Sequence, residues 1–144
     1  MELKNSHTQL KEKELGEFEK KYGVSLPDSF KQFYLKWNGG SPSHSYINGH
    51  RIVGFMPIKY HNRTEDNTHT IEWFIHLLKD AERLPNGFIP FGSDGGGWHY
   101  AIDLNTNNYG VIYVLPNGIG DHTPIFIASC FDDFIRNLSI EDDY

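Results

Sequence analysis

Between residues 88 and 128 the chain carries four short apolar runs, "FIPF", "GWHYAIDL", "YGVIYVL" and "IFIA", each bounded by Gly, Pro, Asn or Asp. Runs of this length, rich in β-branched and aromatic residues and punctuated by turn formers, predict successive strands of a meander. Around this stretch the periodicity changes to helical. Leu15, Phe18 and Tyr22 recur at helical spacing from Gln9 to Tyr22, and Gly23 stops the run. In "SLPDSFKQFYLKWNGG", Ser25 is a candidate cap, Pro27 and Asp28 suit a first turn, and Phe30, Phe33, Tyr34 and Trp37 form a stripe closed by Asn38-Gly39.

Residues 40–50 read as turn chemistry. "RIVGFMPIKY" reads as a strand that Pro57 places at an edge or ends. Ile71, Phe74, Ile75 and Leu78 give a third helical face, and Phe131, Phe134, Ile135 and Leu138 a closing one, with Ser129 as its cap and Asp132 as its capping-box acid. The order predicts an α+β domain spanning 1–144: a mainly antiparallel sheet packed by two N-terminal helices, a middle helix and a C-terminal helix.

Composition narrows the function. The formal charge of −6 argues against direct nucleic-acid binding, which needs clustered Lys and Arg, and favours a basic partner. The first twenty residues are charged throughout and no stretch is apolar for long enough to span a membrane, so the expected location is cytoplasmic, with no membrane partner. Cys130 is the single cysteine, which excludes an internal disulfide and a Cys-based zinc site, and it reads as a small buried side chain at a helix start. No cofactor motif is present.

The segment "IPFGSDGGGWHYAIDL" raises the question of chemistry most directly. A phosphate cradle needs its glycines to open a helix, whereas a strand follows here, so Asp94, Gly95, Gly96 and Gly97 read as a turn with at least one positive φ. Asp94, His99, Asp103, Asp121 and His122 all lie near turns but share no metal-ligand spacing, and His99 and His122 read as solvated or locally bonded turn residues. In the strand, Trp98, Tyr100, Ile102 and Leu104 alternate with His99, Ala101 and Asp103; this points Trp98 to the core, with a partner-facing position as the alternative.

Three segments together resemble the SUKH superfamily, which includes yeast cell-wall and glucan-synthesis regulators and many bacterial immunity proteins. They are "FEKKYGVSLPDSFKQFYLKWNGG", "IPFGSDGGGWHYAIDL" and "SCFDDFIRNL", within about residues 15–138. The resemblance implies an α+β module without catalytic apparatus, in which Leu26, Pro27, Asn38, Gly39 and Gly40 form the helical opening, Asp94 to Gly97 shape a turn, and Asp103 ends a strand. It implies a protein partner, for the bacterial branch a cognate toxin, often a nuclease. Trp98 and His99 depart from the smaller or amide residues common there, and "VLPNGIGDHTP" lacks a frequent acidic, aromatic stretch. Candidate partner contacts are Glu65, Asp66, Trp98, His99, Asp121 and His122, with the acidic residues Glu141, Asp142 and Asp143 beside them. Two other readings stay open: a regulatory or scaffolding domain of envelope synthesis, and a hydrolase built on Asp94, His99 and Asp121.

Overall fold

The structure, a computed structural model, describes residues 1–62, 69–118 and 120–141. In chain order its elements are β1 (Leu3–Lys4), α1 (Glu12–Tyr22), α2 (Asp28–Lys36), β2 (Ser41–Pro42), β3 (Tyr46–Ile47), β4 (His50–Arg51), β5 (Gly54–Phe55), α3 (Ile71–Asp80), β6 (Phe88–Ser93), β7 (His99–Asp103), β8 (Ile112–Leu115), β9 (Ile125–Ala128) and α4 (Phe131–Asn137). The expected α+β architecture is present. β5 to β9 form an antiparallel sheet in sequence order, with β5 at an edge and ended before Pro57.

The helices form where the apolar stripes predict, and their ends are set locally. α1 begins at Glu12 rather than near Gln9, because Glu14 folds back to accept the Lys11 N–H at 2.9 Å. It ends at Gly23, whose φ of 63° is the left-handed cap that glycine adopts without strain. Pro27, not Ser25, is the extended residue preceding α2: its fixed φ suits the entry, and the Ser25 carbonyl accepts from Tyr109. α3 is capped by Thr70, which accepts from the Trp73 N–H.

The expected cap of α4 also moves by one residue. Cys130 Sγ accepts the Asp133 N–H at 3.4 Å, and Ser129 Oγ instead donates to the Asp133 carboxylate at 3.0 Å. Cys130 is therefore a half-exposed cap rather than a buried side chain.

Residues 40–50 hold more than turns. β2 pairs with β1, and β3 pairs with β4 around Asn48-Gly49, whose φ values of 50° and 78° suit a tight hairpin. Such two-residue strands carry no periodicity of their own. A bridge between Gly40 and Phe55 joins the β1–β2 pair to the edge of the main sheet.

The main core lies between the sheet and the α2–α4 pair. Phe30 and Phe33 of α2 meet Phe131 of α4 with ring centroids 4.9 and 5.3 Å apart, and Phe91 of β6 meets Phe131 at 5.5 Å. Phe91 reaches this face through a register shift between Pro90 and Gly92, a bulge that also accommodates a proline inside an inner strand. The other face is covered as well: Phe88, Ala101 and Leu115 cluster beneath Leu84 and Tyr113. Consequently all of His99–Asp103 is buried, and the expected alternation of a core face with a solvated one does not hold for β7.

Trp37, expected as core, is only partly buried; it stands edge-on to Phe33 with the Lys36 ammonium 4.4 Å from its ring. Phe131→Ala should lower the unfolding free energy by about 3–5 kcal/mol in urea titrations. Trp37→Ala should cost clearly less, because Trp37 is only partly buried at the margin of this core.

Candidate functional site

Asn38, only 1% exposed, is bonded on both ends of its amide: Nδ2 donates to the carbonyls of Thr8 and Ile58, each at 2.9 Å, and Oδ1 accepts the Ile58 N–H at 2.7 Å. A Cβ on Gly39 would stand 2.8 Å from the Pro57 nitrogen, and one on Gly40 would stand 2.5 Å from the Lys4 carbonyl oxygen. Leu26 is buried, and its N–H donates to Glu19 at 2.7 Å. These contacts are internal to the fold.

The Asp94 to Gly97 segment is likewise occupied with shaping a turn. Asp94 Oδ1 accepts the N–H groups of Gly96 at 2.7 Å and Trp98 at 3.0 Å, while Gly95 and Gly97 have φ of 85° and 96°. Asp103 does the same at the far end of β7, accepting from the Asn105 N–H and side-chain amide at 2.8 Å.

The β6–β7 turn and the β8–β9 connection meet at one end of the sheet, since a Cβ on Gly97 would lie 2.6 Å from the Asn117 amide nitrogen. Arg83 donates to the Gly97 carbonyl there at 3.1 Å. Of the sequence-derived candidates, Trp98 is half-buried against the main core. Asp121 and His122 are exposed: Asp121 Oδ1 accepts from the N–H and hydroxyl of Thr123, and His122 Nε2–H donates to the Gly118 carbonyl. Glu65, Asp66, Asp142 and Asp143 lie outside the described residues.

His99 differs from the solvated or locally bonded turn residue expected. It is 6% exposed in β7, its ring 5.2 Å from that of Phe74, and its Nδ1 has no hydrogen-bond partner among the described residues. Burial, helped by the Arg83 charge, lowers its pKa to about 4, so it is neutral at pH 7. Its ring cannot touch a partner without rearrangement.

An open cleft of about 350 Å³ adjoins this end, bounded by Val53 and Gly54 at the edge strand, Ser93 and Gly95 at the glycine turn, Phe74 of α3, and His7. Beside it runs a series of rings: His7 and His61 are 5.9 Å apart, His61 and His69 4.9 Å, His69 and Trp73 4.1 Å, and Trp73 and Phe74 5.0 Å. Trp73 is 44% exposed and Leu77 43%. The sequence reading missed this surface, although a signal exists: Trp73 and Leu77, four apart, lie off the buried Ile71–Ile75–Leu78 stripe.

A second cluster also went unread. Glu14, almost fully buried, accepts from Lys59 Nζ at 2.7 Å and from the Tyr60 hydroxyl. Those bonds, with the Lys11 N–H, hold its pKa at about 2. Among the described residues, no group of three or more His, Cys, Asp or Glu side chains is placed to hold a metal. No helix is long and apolar enough to cross a membrane among them.

Gly40→Ala should destabilise by more than about 1 kcal/mol, since its φ of 127° and the Lys4 carbonyl both oppose a Cβ. Asp94→Asn, which keeps the accepting oxygen, should move the melting temperature little. Acid should act in two stages. His99 has a lowered folded pKa, so its contribution is full above about 6.5 and falls away towards pH 4. That of Glu14 is full above about 4.5 and is lost as pH falls towards 2. Unfolding titrations across pH should show the lower stage flattened in Glu14→Gln and the upper in His99→Gln.

No curated protein matches the chain. The sequence model of the SMI1 / KNR4 family (SUKH-1) matches residues 9–137, a span that includes the helical opening, the glycine turn and the closing helix. On that match the chain belongs to the SMI1 / KNR4 family (SUKH-1).

Proposed function

We propose that this chain is a non-enzymatic protein-binding module that neutralises a cognate toxin, in the manner of the family's immunity branch, as a single domain acting in the cytoplasm. The observation that carries the reading is the pairing of an open cleft with an exposed aromatic, Trp73, at the side of a sheet whose glycine turn is spent on its own backbone. Exposed Trp beside a concave surface is where binding energy concentrates in protein interfaces. Trp98, Asp121 and His122, at the neighbouring sheet end, are proposed as flanking contacts, and Glu65 and Asp66 as further acidic ones. A charge of −6 suits the basic surface with which a nuclease holds phosphates, and makes association faster at low salt.

The second reading is a regulatory scaffold of envelope synthesis. It is supported by the same family match, whose description names the SMI1 / KNR4 type. Copurification with tagged full-length chain separates the two: a single stoichiometric toxin supports immunity, whereas a set of envelope-synthesis proteins supports the scaffold. A metal-dependent hydrolytic activity copurifying with the chain, and lost in Asp121→Ala, would overturn both. Once a partner is in hand, Trp73→Ala should weaken its binding by about 2 kcal/mol, roughly 30-fold, while leaving the melting temperature within a few degrees.

A further inference from the structure

A groove of about 330 Å³ runs between α1 and α2, away from the cleft at the sheet edge. Leu15, which is nearly fully buried, and Leu35 line it together with the acidic residues Glu12, Glu19 and Asp28. Lys31, the one cation lining it among the described residues, stands 3.7 Å from Asp28. Glu19 is fixed in place by the Leu26 N–H at 2.7 Å.

The residue that opens the groove is Gly16, in the interior of α1. Glycine is among the least favourable residues at such a position. Crowding does not require it here, because a Cβ at Gly16 would meet nothing within 4 Å. Its dihedrals are helical, so no left-handed conformation requires it either. Open space therefore stands over Gly16.

We infer that the α1–α2 groove is a docking site for a basic segment of a protein partner, with an Arg or Lys side chain entering over Gly16. The stem methylenes lie along Leu15 and Leu35 while the charged head meets the Glu12, Glu19 and Asp28 carboxylates. Complementary charge selects this occupant: three carboxylates against one lysine repel an acidic or phosphate-bearing ligand. The inference rests on the protein-binding reading but not on which partner is bound, so it is tested with a simple peptide, and its failure leaves the copurification result untouched.

The probe is an acetylated hexa-arginine amide, titrated at low salt into 15N-labelled full-length chain and followed by amide chemical shifts. Saturable shifts confined to residues 12–19 and 28–35 are expected. Gly16→Lys should weaken the peptide at least tenfold without lowering the melting temperature, and Glu12→Lys, at an exposed position, should do likewise. Gly16→Ala, which leaves most of the space open, should bind within twofold of the parent. The inference is overturned if no shifts occur there, if they spread equally over exposed carboxylates such as Asp121 and Asp132, or if Gly16→Lys and Glu12→Lys bind as the parent does.

Discussion

The buried amide of Asn38 is the contact on which the rest of the fold depends. Three hydrogen bonds from one side chain tie the segment before α1 and the segment after β5 to the end of α2. A buried amide left unbonded would be costly, so these strands of chain must arrive together. The two glycines that follow then let backbone approach backbone, Gly39 against Pro57 and Gly40 against Lys4, and the Gly40–Phe55 bridge extends the sheet towards β1. The position of α2 above the sheet, and with it the Phe30, Phe33 and Tyr34 side of the core, follows from this junction.

Burial on both faces of β7 has a chemical consequence. A His in a half-solvated strand would titrate near neutrality, whereas His99, enclosed with Phe74 and near Arg83, stays neutral well below pH 7. Glu14 shows the opposite case, a buried carboxylate kept charged because Lys59, Tyr60 and the Lys11 N–H all favour the ionised form. Desolvation acts on both groups, and hydrogen-bonding partners decide which charge state survives. Both lie inside the fold rather than on a binding face, so they bear on its stability in acid rather than on recognition.

The surfaces left for recognition are those that the fold does not consume. The glycine turn, prominent in the sequence, has its carboxylate and two of its amides committed to itself. By contrast Trp73 and Leu77 are exposed, and the α1–α2 groove presents Gly16 and three carboxylates beside the core residue Leu15.

The sequence by itself determined the order of the four helices and of β6 to β9, the antiparallel meander, the end of the β5 strand before Pro57 and the turn character of Asp94 to Gly97. Each is a local matter: apolar periodicity, turn residues and the missing N–H of proline act within a few residues. Helix ends were legible to within a residue or a few, because the Glu14 carboxylate turning back to the Lys11 N–H, the fixed φ of Pro27 and the Cys130 Sγ accepting the Asp133 N–H each set an end that periodicity alone does not show. What only the tertiary structure decided depends on residues distant in the chain. The pairing of β1 with β2 needs Gly40 against Phe55, the burial of His99 needs α3 over its strand, and the ion pair of Glu14 needs Lys59, forty-five residues away. The cleft and the groove belong to this second class, because a concave surface exists only where separate elements fail to close against each other.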